Sequence, residues 1–165
     1  MTSRPGDAAS VSVFVPLEPA EAFEVFTAEI DAWWRRGPRF RGGGAHASRM
    51  TLEPGVGGRL LESVDGARGT RTIEFGRVTR WEPGTHLALE WRNVNFTAEQ
   101  KTLVEVSFRP SNDGTLVTVR HSGWSALPDD HPARHGHVGA DHSRFLGLWW
   151  ADLASALREH VSARR

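Results

Sequence analysis

The chain of 165 residues has no cysteine and no tyrosine, and Lys101 is its single lysine. Without cysteine it can form no disulfide bond, no thiolate metal site and no cysteine nucleophile. The absence of tyrosine excludes acid–base chemistry on a phenol. Its 20 basic and 20 acidic side chains balance, so it lacks the basic excess of a typical nucleic-acid-binding protein. No apolar run is long enough for a membrane span or a secretory signal, and we therefore expect a soluble, cytoplasmic protein without membrane insertion.

Large apolar rings are plentiful, with seven tryptophans and eight phenylalanines. The length fits one domain with one substantial core. We expect residues 1–10 to form a flexible N-terminal arm and residues 11–162 to form a single domain.

The hydrophobic pattern predicts one strand, two short helices, six further strands and one long helix. The first strand covers 11–15, a helix begins at Pro19, and a second short helix runs through Trp33 and Trp34. Alternation of apolar and polar residues then predicts strands at 47–53, 58–64, 71–81, 86–93, 102–110 and 114–122. Short turns between them are typical of an antiparallel meander.

An apolar stripe at spacings of three and four predicts the last helix, over 141–162, with Asp141 or Ser143 as its cap. One face of a curved antiparallel sheet must bury that helix, which makes the fold class α+β with two layers.

Several segments resemble those of a known family, and they occur in the family's order over about residues 11–161. They are Val15-Pro16 with Pro19–Phe23, Ala32-Trp33-Trp34, Gly76-Arg77-Val78, Trp81–Gly84, Leu87–Trp91, Gly114–Val119, His121–Trp124 and Gly147–Trp150 with Leu153. The chain resembles the START-like, or SRPBCC, helix-grip superfamily, and within it the group named after the C-terminal domain of the activator of the heat-shock-protein-90 ATPase. The resemblance implies about seven antiparallel strands wrapped around a long C-terminal helix, enclosing an elongated cavity. It implies no shared catalytic set, because members include ligand carriers, cyclases, hydrolases and co-chaperone domains.

Strand parity places three polar side chains on the otherwise apolar inner face, namely Glu62, Arg77 and His121. A hairpin about residues 65–70 would pair Glu62 with Ile73 and Leu60 with Phe75, although a slip of one residue would reverse the assignment. Glu62 and Arg77 could form a structural ion pair, or all three groups could anchor the polar end of an apolar ligand.

We predict a ligand-binding set on these inner faces and on the two tryptophan-bearing helices. Its members are Trp33, Trp34, Glu62, Phe75, Arg77, Trp91, Phe108, His121 and Trp149. Of the adjacent Trp149 and Trp150, we expect one to grip the sheet and the other to border the cavity, since they point about 100° apart on a helix.

Two other groups of side chains are candidates for binding an ion. His131, His135, His137 and His142 could ligate a metal, but prolines and glycines interrupt the segment, so we expect a solvated loop that could fold over a cavity mouth and no metal site. The arginines of segment 35–41 are expected to be solvated, with an anion contact at the cavity entrance as the alternative. No cofactor is expected, because nucleotide and phosphate motifs are missing.

The preferred function is binding of a small, largely apolar molecule between the sheet and the C-terminal helix. One alternative is a cyclase, dehydratase or hydrolase that uses His121 with a carboxylate such as Glu62 or Glu74. Another is a chaperone-associated interaction domain, by analogy with the family's name. The sequence leaves the ligand and the oligomeric state open, and a homodimer is possible.

Overall fold

The computed structural model describes residues 4–43 and 46–164, and these form one seven-stranded antiparallel sheet with three α-helices. The strands are β1 Ala9–Val15, β2 Ser48–Leu52, β3 Arg59–Gly66, β4 Gly69–Glu82, β5 His86–Trp91, β6 Thr102–Ser111 and β7 Gly114–Ser122. The helices are α1 Pro19–Ala28, α2 Ile30–Trp33 and α3 Gly139–Ala163. This is the α+β helix-grip architecture, and every predicted strand is confirmed to within two residues at each end.

Strands β2 to β7 form an antiparallel meander, and β1 pairs with β7 at its far edge. The order is β1-β7-β6-β5-β4-β3-β2, so β1 and β7 are the one pair of neighbouring strands in the described sheet that are distant in sequence. Ala9 and Ser10 pair with His121 and Arg120 of β7. The predicted flexible arm over 1–10 is therefore too long at its C-terminal end, and residues 1–3 lie outside the described residues.

The helices follow the apolar periodicity closely. Pro19 is the first residue of α1, where the absent N–H of proline removes no hydrogen bond. Helix α3 begins two residues earlier than expected, at Gly139, and its N-cap, Val138, makes no side-chain cap. The prediction of a cap at Asp141 or Ser143 is wrong, because both residues lie inside the helix, as its third and fifth residues.

Two irregularities in β4 change which side chains face inward. The register runs from Leu61–Glu74 to Leu60–Gly76, which leaves Phe75 unpaired with β3. A second irregularity lies between Val78 and Arg80, where Thr79 has no pairing partner in β5. Each extra residue shifts the alternation by one, so side chains between the two bulges point the other way. The expected pairing of Leu60 with Phe75 and the inward placement of Arg77 are therefore wrong, whereas the Glu62–Ile73 pair is confirmed.

The core lies between the inner sheet face and the helices. It includes Phe23 and Phe26 of α1, Phe108 of β6 and Leu153 of α3, all almost fully buried. Within the described part of the chain, no helix is long and apolar enough to span a membrane.

Candidate functional site

A cavity of 580 Å³ lies beside the core, and its walls come from several separate parts of the chain. The segment after α2 supplies Trp34 and Phe40, the sheet supplies Phe75 and Trp91, and α3 supplies Trp149 among other residues. The ring of Trp91 stacks at 6.2 Å on Trp34 and at 6.0 Å on Phe75, measured between centroids. The volume and the aromatic walls are those of a small-molecule pocket.

Indole hydrogen bonds fix the loop that covers one side of this cavity. The Nε1–H of Trp34 donates to the carbonyl of Phe40 at 2.9 Å, and that of Trp149 donates to the carbonyl of Arg39 at 2.8 Å. The two tryptophans thus pack their rings on the cavity side and hold the loop backbone with their polar edges.

Glu62 holds the same loop from the sheet side. Its side chain has no exposed area, and its two carboxylate oxygens accept the N–H groups of Gly42 at 2.6 Å and Gly43 at 2.9 Å. A Cβ at Gly43 would lie 2.9 Å from one of those oxygens, so a side chain there would have to displace the Glu62 carboxylate. A Glu62–Arg77 ion pair does not form, because the 58% exposed Arg77 side chain points outward and pairs with Glu74 at 3.2 Å.

Arg41 ties the loop to α2. Its guanidinium is 4% exposed and donates to the Asp31 carboxylate at 2.8 Å and to the Trp34 carbonyl at 2.7 Å, with further bonds to backbone carbonyls. Partial burial would raise the pKa of Asp31, but the N–H of Met50 and the Arg41 guanidinium outweigh it and hold that pKa below its usual range.

Replacing Arg41 with methionine is expected to lower the free energy of unfolding by about 2 kcal/mol, because buried carbonyls lose their donor and Asp31 loses the closer of its two arginine partners. Partial exposure of Asp31 keeps the loss below that of a fully buried pair. Arg39→Met is the matched control, since its 62% exposed side chain pairs with Asp152 on the surface and should contribute less than about 0.5 kcal/mol. Urea denaturation measures both, and equal effects would contradict the structural role of Arg41.

His121 lies inside the molecule at the cavity wall, with both ring nitrogens occupied. The Nε1–H of Trp150 donates to Nδ1 at 3.1 Å, so a neutral ring carries its proton on Nε2, which donates to Thr102 Oγ1 at 2.7 Å. Burial, with a smaller contribution from the charge of His142, lowers the pKa of His121 to about 3. The arrangement is that of a neutral structural histidine.

His142 and Trp124 form a second buried pair at the wall, 4.5 Å apart between ring centroids. Burial, then the nearby positive charge of Arg134 and two further histidines, lowers the pKa of His142 to about 4. Among the described residues, the buried side-chain nitrogens and oxygens without a hydrogen-bond partner are Nε1 of Trp124 and both ring nitrogens of His142.

The nine residues predicted to bind ligand divide into two sets. Those at the cavity wall are Trp34, Phe75, Trp91, His121 and Trp149. Outside it lie Trp33 and Phe108 in the core, Glu62 behind the loop and Arg77 on the outer face. As expected for the two adjacent tryptophans, one contacts the sheet and the other borders the cavity: Trp150 donates a hydrogen bond to His121 of β7, and Trp149 lines the cavity. Ligand contact by any of them stays a prediction.

The histidine-rich and arginine-rich segments have distinct positions. His135 and His142 line the cavity, while the ring of His131 bonds to Gln100 and the backbone of Ala133. Residues 4–43 and 46–164 contain no group of three or more side chains arranged to hold a metal ion. Of the arginines, Arg39 and Arg41 reach the cavity wall.

Sequence reasoning missed several wall residues. Phe145 precedes Trp149 by four positions, a spacing that could have placed it on the same helical face. Phe40, Val94 and Asn95 lie in connecting segments, where no periodicity signals an orientation.

The family comparison agrees with this architecture. A family model described as "Activator of Hsp90 ATPase homolog 1-like protein" matches residues 16–147. No curated protein matches the chain.

Solved structures share the whole fold at low sequence identity. A protein from Mesorhizobium loti is 16% identical with a TM-score of 0.64, and 96% of this chain and 98% of that one are covered. The Aha1 protein from Colwellia psychrerythraea, solved as a dimer, is 13% identical with a TM-score of 0.61, covering 93% and 95%. An HSP90 activator from Plasmodium falciparum is 14% identical with a TM-score of 0.63, covering 94% and 96%.

These identities show a common fold, and function does not follow from fold alone. The family match covers most of the chain, including the first two helices, strands β2 to β7 and the start of α3. The chain therefore belongs to the family of Activator of Hsp90 ATPase homolog 1-like proteins.

Proposed function

We propose that the protein binds a small, largely apolar and planar molecule in the cavity between the sheet, the loop at 35–43 and α3. The observation that carries this proposal is the 580 Å³ cavity with large aromatic side chains around it, Trp34, Phe75, Trp91 and Trp149 among them. Burying a flat apolar molecule against such walls supplies affinity through removal of apolar surface from water.

The packing of the walls supports a preformed site. Trp34 and Trp91 are 3% and 4% exposed, and their N–H groups are already bonded within the protein. The rings therefore keep their positions without a ligand, which reduces the ordering cost of binding.

Native mass spectrometry of the purified protein tests for a co-purifying molecule and reports a homodimer in the same measurement. The Colwellia psychrerythraea relative was solved as a dimer, which makes a dimer of this chain worth measuring. A second experiment measures binding by isothermal titration calorimetry, with 2-methylnaphthalene as a planar apolar probe.

Trp149→Ala is expected to weaken binding of this probe about tenfold or more, because one aromatic wall is removed. Trp81→Ala is the control, since Trp81 is also half-buried but packs on Phe23 at 5.0 Å, outside the cavity. If Trp149→Ala and Trp81→Ala bound the probe with equal affinity, the proposal that the probe binds in the cavity would be contradicted.

The enzymatic alternative requires His121 to exchange a proton with a ligand or a carboxylate. Its two nitrogens are bonded to Thr102 and Trp150, and Glu62 is bonded to the loop backbone. This geometry favours binding over acid–base catalysis by His121.

The family name supports the interaction alternative, a contact with a heat-shock-90 chaperone. A pull-down with the purified chaperone and a measurement of its ATPase rate test that alternative independently of the cavity. Stimulation that persists in the Trp149→Ala variant would show that the contact uses another surface.

A further inference from the structure

The cavity wall contains polar atoms for which the protein supplies no partner. Trp34, Trp91 and Trp149 all donate their indole N–H to an oxygen of the protein, at 2.9, 2.7 and 2.8 Å respectively. Trp124 is 2% exposed and lines the same cavity, yet its Nε1–H has no acceptor in the described part of the chain. Both nitrogens of His142, which is 1% exposed, are likewise unpaired.

Such groups are rare because a buried donor without an acceptor is destabilising, so each one requires an explanation. The two side chains adjoin one another, with ring centroids 4.5 Å apart. An indole N–H can only donate, and a neutral imidazole supplies one more donor. Together they hold two N–H groups without an acceptor, side by side at the cavity wall.

The charges around this end favour an acceptor that is negative. Among the described residues lining the cavity there is no aspartate or glutamate. Arg39 and Arg41 also line it, but they belong to the loop beside Trp149 and Trp34, and their charges are paired with Asp152 and Asp31. Close behind, the guanidinium of Arg134 is 3% exposed and donates to the carbonyls of Trp124, Leu127 and Pro128. In the part of the chain that the structure describes, no carboxylate lies within 4.0 Å of the Arg134 guanidinium. No ion pair therefore neutralises its positive charge.

We propose that the ligand of this cavity is a planar aromatic carboxylic acid whose carboxylate accepts hydrogen bonds from Trp124 and His142. The inference rests on the proposed function and adds the chemical class and the orientation of the ligand. The aromatic part lies among Trp34, Trp91 and Trp149, and the carboxylate lies at the other end. The paired donors recognise the carboxylate oxygens, and the buried arginine stabilises their charge.

A small movement accompanies binding, because almost none of the area of the three unpaired nitrogens is accessible to solvent. His142 lies in the first turn of α3, and Gly136 and Gly139 just before it both have positive φ. A shift of this turn brings the donors to the ligand, and the glycines permit it without a steric penalty.

The test compares 2-naphthoate with 2-methylnaphthalene and with 2-naphthylmethylammonium by calorimetry, on the wild-type chain. We expect 2-naphthoate to bind at least tenfold more tightly than the uncharged probe, and the cation to bind most weakly. Trp124→Phe and His142→Phe both alter the cavity wall, so the readout is the ratio of the two affinities: each variant should reduce the preference for 2-naphthoate over 2-methylnaphthalene about tenfold. Trp81→Phe is the control and should change neither affinity.

A thermal or urea denaturation of the two variants without ligand separates this role from a structural one. Removing the unpaired nitrogens of His142 should leave the midpoint of His142→Phe unchanged or raise it, whereas a structural hydrogen bond of His142 would show as a lower midpoint. Trp124→Phe also removes buried ring volume, which lowers its midpoint through packing alone. A lower midpoint for His142→Phe would overturn the proposal.

Equal binding of 2-naphthoate and 2-methylnaphthalene, unaffected by either variant, would overturn the carboxylate site and leave the proposed function standing. Binding of neither probe to the wild-type chain would overturn both. Binding of 2-naphthoate that Trp124→Phe does not weaken would also overturn the site.

Discussion

Lowering the pH from 7 to 5 is expected to reduce the free energy of unfolding by about 4 kcal/mol, with about 2 kcal/mol from each of two buried histidines. Burial lowers the pKa of His121 to about 3 and that of His142 to about 4. In the unfolded chain both have ordinary values near 6.5. At a pH between the native and the unfolded pKa values, the unfolded state binds protons that the native state does not. The free energy of unfolding therefore falls as the pH drops below about 6.5.

Carboxylates do not offset this loss over the same interval. The pKa of Asp7 and of Asp31 is lowered by hydrogen bonds, so their contribution is present above their unfolded values near 4 and disappears only below them. Urea denaturation at pH 7, 6 and 5 measures the expected decrease.

His121→Gln provides the sharpest comparison, because a glutamine can accept from Trp150 and donate to Thr102 without titrating. The acid-induced loss should shrink by about half in this variant. His46→Gln is the matched control for the substitution, as His46 is exposed. An identical profile for His121→Gln and the wild type would show that His121 does not titrate as its burial implies.

Trp91→Ala is expected to lower the free energy of unfolding by about 3 kcal/mol. The ring is 4% exposed and lies between 5.6 and 6.3 Å, centroid to centroid, from five other rings. One side of it borders the cavity, so the loss lies at the lower end of the range of about 3–5 kcal/mol for removal of a fully packed aromatic side chain.

The same variant should abolish detectable binding of 2-methylnaphthalene, because Trp34 and Phe75 both stack on Trp91. Trp91→Phe keeps a ring and should recover most of the stability. Chemical denaturation and calorimetry provide the two measurements, and a stability loss below about 1 kcal/mol for Trp91→Ala would contradict the packing described here.

Regular strands were predictable because alternation survives wherever the pairing is uninterrupted. Glu62 and His121 were placed inward correctly, since each pairs in register with its neighbour, Ile73 and Val104 respectively. Arg77 was misplaced because a single unpaired residue, Phe75, reverses the alternation. A bulge adds one residue without changing the composition of the strand, so periodicity alone does not reveal it.

The candidate site was less predictable than the fold. Ring-bearing residues on regular elements, such as Trp91 and Trp149, could be assigned to the inner surface by their spacing. Phe40 and Asn95 depend on loop conformations that tertiary hydrogen bonds determine, and their sequence carries no orientation signal. The unpaired nitrogens of Trp124 and His142 become visible only once every other buried donor has been assigned an acceptor.

The contact between Glu62 and the Gly42-Gly43 backbone predicts a pattern of covariation among relatives of this chain. A side chain at either loop position would push its neighbours aside, since a Cβ at Gly42 would meet the Ile73 side chain at 2.8 Å and one at Gly43 would meet the Glu62 carboxylate at 2.9 Å and disturb its two hydrogen bonds. Relatives with an apolar residue at the position of Glu62 should therefore be free to lose both glycines, and relatives that keep the glutamate should keep them. An alignment in which the three positions vary independently would show that other contacts can close this side of the cavity.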